Sequence, residues 1–128
     1  MQKKYTSLGL MSGTSGDGVD ASIIYSDGKN EIQVLKERYY DYDDDIYRKI
    51  HSLKEKIFKP NDLKIYSKEI LELERKITIF HAKIINQLNI TDETLVGFHG
   101  QTIYHNFNEK ISKQLGNAKL LNQLTKKK

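Results

Sequence analysis

Cysteine is absent from the 128 residues, which excludes a disulfide framework and any thiolate metal site and suits a reducing compartment. Tryptophan is absent as well, and Pro60 is the single proline. No stretch approaches the ~20 consecutive apolar residues needed to cross a bilayer, so no membrane partner is expected. The basic start Met1-Gln2-Lys3-Lys4 leads into no apolar segment with a small-residue cleavage site, and a signal peptide is therefore not expected. Charge of one sign is also lacking. The 21 Lys and Arg are interleaved with 17 Asp and Glu for a net +4, and only Lys126-Lys127-Lys128 forms a basic run. Such dispersal argues against a nucleic-acid partner, whose binding needs clustered cations.

Glycine is scarce but concentrated. Four of the eight fall in Gly9-Leu10-Met11-Ser12-Gly13-Thr14-Ser15-Gly16-Asp17-Gly18-Val19-Asp20, with two serines, a threonine and two aspartates. Apolar runs flank this segment and read as strands, Tyr5–Met11 and Val19–Tyr25. A turn of this composition lets backbone N–H groups and hydroxyls approach an anion closely, because glycine has no Cβ to hold the ligand away. Asp17 and Asp20 add carboxylates of the kind that hold Mg²⁺ or orient water. A hairpin turn rich in small residues is the competing reading from composition.

The remaining pattern predicts one domain of mixed α and β. Glu31–Tyr40 reads as a third antiparallel strand after an Asp27-Gly28 turn, with Ile32, Val34 and Arg38 on one face. Asp41 to Asp45 form an acidic break suited to a helix N-cap. Ile46, Ile50, Leu53 and Ile57 recur at helical spacing, and Pro60 stops that helix, leaving Asn61 or Asp62 to cap the next. Tyr66, Ile70, Leu73, Ile77, Phe80, Ile84 and Leu88 predict one long amphipathic helix over 63–88. Leu95–His99 reads as a covered central strand. Residues 106–113 read as loop or hairpin, and Asn117 as the cap of a short helix over 118–124. His51 and His81 read as ordinary helix residues. His99 and His105 have no third ligand at convincing spacing, so zinc is not expected.

A second motif, Gly97-Phe98-His99-Gly100-Gln101-Thr102-Ile103-Tyr104-His105, joins the first. Together they resemble the anhydro-N-acetylmuramic acid kinases, bacterial members of the actin-like sugar-kinase superfamily, in the family's order and over nearly the whole chain. The resemblance implies a truncated actin-like, RNase H-like lobe of α/β (mixed α+β) class, with a three-strand antiparallel meander, a long helix and a further central strand. It implies that Gly13, Thr14, Ser15, Gly16, Asp17, Gly18, Val19 and Asp20 form the ATP phosphate turn, with Asp17 the candidate Mg²⁺ residue. His99, Gly100, Gln101 and Thr102 would form the sugar-side loop. The implied reaction uses ATP, Mg²⁺ and water to open 1,6-anhydro-N-acetylmuramic acid and phosphorylate it to N-acetylmuramic acid 6-phosphate, in cell-wall recycling in the cytoplasm.

The chain departs from the family at three places. Gly16 replaces the usual leucine, and restoring leucine there is expected to tighten the turn by about 0.5–1 kcal/mol if the native backbone angles suit leucine. Phe107 replaces a proline, and Asn117 replaces the aspartate that ends the Gln114-Leu115-Gly116 segment. The family's catalytic aspartate sits in an Asp-Phe-Arg segment, a tripeptide these 128 residues lack. Residues 1–128 would then be a single partial N-terminal lobe without its second lobe and without a catalytic residue of its own. Such a chain is expected to be inactive alone, and to self-associate or pair with a separately encoded C-terminal half. A non-catalytic remnant or binding module that keeps the phosphate-turn hairpin is the alternative.

Overall fold

Leu8, Leu10 and Ser12 alternate along β1 (Tyr5–Ser12) and are all buried on one side of a sheet. In the computed structural model, which describes residues 5–13, 15–27, 31–91, 93–106 and 111–125, β1 pairs antiparallel with β2 (Gly18–Ser26), and β2 with β3 (Ile32–Asp41). The expected meander is present. Gly28, Lys29 and Asn30 of its second turn lie outside the described residues. Two short strands, β5 (Gln101–Asn106) and β6 (Ile111–Leu115), form a separate antiparallel hairpin, one of the two readings for residues 106–113. Gln101 and Thr102, expected in a loop, lie instead in a strand.

Helices α1 (Asp44–Lys56), α2 (Pro60–Ile65), α3 (Ser67–Gln87) and α4 (Ala118–Thr125) complete a mixed α/β fold. Asp43 caps α1 by accepting from the Ile46 N–H at 2.9 Å, as the acidic break predicts. Ile46, Ile50 and Leu53 of α1 and Ile70, Leu73, Ile77, Ile84 and Ile85 of α3 share one core with Leu8, Leu10, Val19 and Ala21. Leu121 of α4 and Ile103 and Leu115 of the hairpin extend that core. On the surface Lys76 reaches Asp45 at 2.6 Å, an exposed pair that ties α3 to α1 but adds little stability.

Four further expectations need correction. The long helix is broken at Tyr66, whose φ of −99° and ψ of 20° leave the helical region, while the apolar stripe runs on across the break and hides it. Pro60 does not simply stop α1. It opens α2, where its fixed φ fits and its missing N–H is not needed, and Asp62 sits two residues inside, accepting from the Phe58 and Lys59 N–H groups at 2.9 and 3.2 Å. The strand β4 (Leu95–Phe98) pairs parallel with β1 as the outermost strand of the order β3-β2-β1-β4, so it is an edge and not central among the described residues. Its Leu95 is 54% exposed, while Val96 and Phe98 pack inward. Finally, a bulge shifts the β2–β3 register between Ile23 and Ile24, pairing them with Lys36 and Val34 and leaving Leu35 as the extra residue. That insertion puts Arg38 on the opposite face from Ile32 and Val34.

Among the described residues, the sheet face turned away from the helices stays open. Met11, Val34, Tyr39 and Leu95 are all more than half exposed there.

Candidate functional site

The turn between β1 and β2 closes through a Gly16 N–H to Gly13 carbonyl hydrogen bond of 3.2 Å. Thr14 lies outside the described residues. Asp17 anchors the far side through its carbonyl, which accepts from the Tyr42 N–H at 3.0 Å. Gly13, Ser15, Asp17 and Asp20 are exposed, whereas Gly16, Gly18 and Val19 are buried. Space beside Gly13 is open among the described residues, where a Cβ built there meets only the Ser15 hydroxyl, at 3.7 Å. Gly16 is different. Its φ is +73°, and a Cβ would stand 2.8 Å from Ile50 Cγ2 and 3.5 Å from His51 Nε2. The expected gain from leucine at this position assumed backbone angles that suit leucine, and these do not. The turn lies directly on α1 and has taken a conformation that only glycine adopts without strain.

The second motif comes to the same place. β4 ends at Phe98, and the His99 N–H continues its ladder by donating to the Leu10 carbonyl at 3.3 Å. The loop is thereby set beside the end of β1, where the glycine turn begins. His99 is exposed, with Nδ1 3.1 Å from the Gly100 carbonyl and Nε2 3.2 Å from the Gln114 amide nitrogen. A proton on Nδ1 satisfies both contacts. Thr102 is half-buried, and the side chain of His105 lies outside the described set. Among the described residues no three His, Cys, Asp or Glu side chains are grouped so as to hold a metal ion.

Gln101 is the link between the two motifs. Its side chain is fully buried, and its Nε2 donates to the Gly13 carbonyl at 2.9 Å and the Thr102 carbonyl at 3.1 Å. Its Oε1 accepts from the Tyr42 hydroxyl at 3.2 Å. In this arrangement neither amide proton of Gln101 is free to meet a ligand. Asn117 likewise has an internal role: its Oδ1 accepts from the Leu120 N–H at 3.0 Å and caps α4. Its own N–H and that of Gly116 dock on Thr78 and Glu74 of α3. Asparagine and aspartate cap helices about equally well, so this task does not need the lost charge.

Sequence reasoning missed two of the residues beneath the turn. Tyr42 is buried at the β3–α1 junction, and burial pushes its hydroxyl up to about 12, with the Ser12 hydrogen bond opposing. It therefore remains a hydrogen-bond donor. His81 is fully buried on α3, with Nδ1 2.7 Å from the Ile77 carbonyl, Nε2 3.5 Å from Ser12 Oγ, and its ring 4.8 Å from that of Phe98. Helical spacing gives only the face of α3 that His81 occupies, not the strand it meets. Burial lowers its pKa, with the Ile77 carbonyl opposing.

The unfolded chain accordingly binds a proton at position 81 more readily than the native state. The stability carried by neutral His81 is full above the unfolded value of about 6.5 and is lost as pH falls through it. Urea midpoints are expected to drop between about pH 7.5 and 5.5, and to drop less in His81→Gln. Equal slopes for the two proteins would refute the assignment.

The family model described as anhydro-N-acetylmuramic acid kinase matches residues 5–128. The chain belongs to that family. Among curated relatives bearing the same name, the one from Pelagibacter ubique is 55% identical over 130 residues, covering 99% of this chain and 35% of the relative. The relative from Rhodopseudomonas palustris is 34% identical and covers 91% of this chain and 33% of its own length. That from Agrobacterium fabrum is 32% identical, covering 94% and 34%. The chain thus spans about a third of the length of the curated relatives it matches. No helix among the described residues is long and apolar enough to cross a membrane.

Proposed function

We propose that this chain carries the phosphate turn and the sugar-side loop of an anhydro-N-acetylmuramic acid kinase, as a single partial N-terminal lobe. The whole enzyme would use ATP, Mg²⁺ and water to open 1,6-anhydro-N-acetylmuramic acid and place a phosphoryl group on O6, yielding N-acetylmuramic acid 6-phosphate for cell-wall recycling in the cytoplasm. The observation that carries this reading is the 2.9 Å hydrogen bond from Gln101 to Gly13, which joins two motifs 88 residues apart at one end of the sheet.

The residues present suit a phosphate. Gly13 offers open backbone, Ser15 an exposed hydroxyl and Asp17 an exposed carboxylate that would hold Mg²⁺. No lysine or arginine lies within residues 13–20. Backbone and hydroxyl donors would therefore bind the phosphate, and the cation, when bound, would neutralise its charge. His99 and Thr102 are the side chains left to meet the sugar. The carboxylate base that activates water would come from outside these 128 residues, which contain no Asp-Phe-Arg.

Two outcomes are expected. The 128-residue chain alone should show no turnover of the anhydro-sugar, and product of the correct mass from it would overturn that expectation. Mg²⁺-ATP should perturb the backbone resonances of the Gly13 turn, and Gly13→Val should abolish this response while leaving the fold intact, because a side chain there enters open space. An unchanged response in Gly13→Val would reduce the segment to a hairpin turn. A non-catalytic binding module would respond to Mg²⁺-ATP in the same way, but adding the C-terminal part of the kinase would restore no turnover.

A further inference from the structure

Four buried side chains form a polar cluster beneath the proposed phosphate turn. Starting from α3, His81 Nε2 lies 3.5 Å from Ser12 Oγ, and Ser12 Oγ lies 3.0 Å from the Tyr42 hydroxyl. Tyr42 donates to Gln101 Oε1 at 3.2 Å, and Gln101 Nε2 donates to the Gly13 carbonyl at 2.9 Å. All four side chains are less than a tenth exposed. Residues from β1, the β3–α1 junction, α3 and β5 thus converge on one carbonyl of the turn.

The chemistry fixes the direction of the hydrogen bonds. With two carbonyls, those of Gly13 and Thr102, facing one end of the Gln101 amide, that end must be the NH₂ group. Its oxygen then needs a donor, and Tyr42 is that donor. Burial keeps the phenol protonated, so the donor is not lost near neutral pH. The Tyr42 hydroxyl has spent its one proton and can accept from Ser12, whose own single proton is then used. His81 Nε2 is an acceptor because Nδ1 donates to the Ile77 carbonyl, so it is left as a polar neighbour of Ser12 and not as a link in the chain. Tyr42 is further held by the tilted ring of Phe80, 5.1 Å away.

We propose that Gln101 and Tyr42 are positioning residues for the phosphate turn. They pin the Gly13 carbonyl inward, where it also accepts from the Gly16 N–H. A carbonyl turned outward would set its lone pairs against an incoming phosphate oxygen; a carbonyl held inward leaves the Cβ-free side of Gly13 to the anion. On this account Gln101 serves the nucleotide side from within the sugar-side loop, without touching either ligand. The inference rests on the phosphate-turn reading, and the test separates the two.

The experiment is an amide NMR titration of the whole 128-residue chain with Mg²⁺-ATP, comparing the unmodified protein with Tyr42→Phe, Gln101→Leu and Gly13→Val. The Gln101 side-chain NH₂ should give two well-separated resonances that shift as Mg²⁺-ATP binds. Tyr42→Phe removes one oxygen and should weaken binding about three- to tenfold, with a larger loss in Gln101→Leu, beyond any change in melting temperature. Should Gln101→Leu fail to fold, Tyr42→Phe alone decides. Unaltered affinity in Tyr42→Phe, together with lost binding in Gly13→Val, would overturn the positioning role and leave the phosphate turn standing. Equal affinity in Gly13→Val and the unmodified chain, or no response to Mg²⁺-ATP in the unmodified chain, would overturn both.

Discussion

Valine in place of Gly100 is expected to destabilise the fold by about 2–5 kcal/mol, the sum of a left-handed backbone penalty and a steric one. Gly100 has a φ of +84°, and its Cβ would stand 2.8 Å from the Leu115 carbonyl oxygen. That oxygen is backbone in β6, and Leu115 is itself completely buried, so neither partner yields cheaply. A β-branched residue is a poor occupant of the left-handed region even without a neighbour. The same hairpin holds Gln101 opposite Leu115, so the strain reaches the residue that links the two motifs. Urea denaturation followed by circular dichroism measures the loss. A midpoint equal to that of the unmodified chain would mean that the hairpin simply moves away.

Leucine in place of Gly16 should also destabilise the chain, by about 1–4 kcal/mol. Strain at positive φ and overpacking against Ile50 outweigh the few tenths to one kcal/mol gained by restricting the unfolded chain. Ile50 has no exposed surface and lies on α1, so its Cγ2, 2.8 Å from the new Cβ, has little room to retreat. The leucine would also cover His51 Nε2, a buried nitrogen that has no hydrogen-bond partner among the described residues. A raised melting temperature in Gly16→Leu would show that the turn relaxes to a right-handed geometry and recovers the anchor that relatives are expected to use.

Much of the secondary structure was legible because its signals are local. The meander follows from strand-length apolar runs separated by glycine turns. Helix α1 follows from Ile46, Ile50 and Leu53 behind an aspartate cap. Asn117 as the cap of α4 is the same kind of inference, and the Leu120 N–H to Asn117 bond bears it out. Three errors share one cause. The break at Tyr66, the edge position of β4 and the bulge at Leu35 leave the hydrophobic period intact nearby, and the period is all that a single sequence exposes.

By itself the sequence determined the chemistry on offer at residues 13–20 and 99–102, the mixed α/β class and the family. The first two follow from residue types and their periodicity, and the family from the resemblance of the two motifs. Only the tertiary structure decided that the two motifs meet, because the parallel pairing of β1 with β4 is a contact between distant segments that no local pattern encodes. It also decided that Gln101 faces inward to Gly13, that Tyr42 and His81 lie beneath the turn, and that Gly16 rests on Ile50. Each depends on which side chain stands on the facing element, and burial then sets what that side chain can do: neutral histidine, protonated tyrosine, and an amide whose donors are already used.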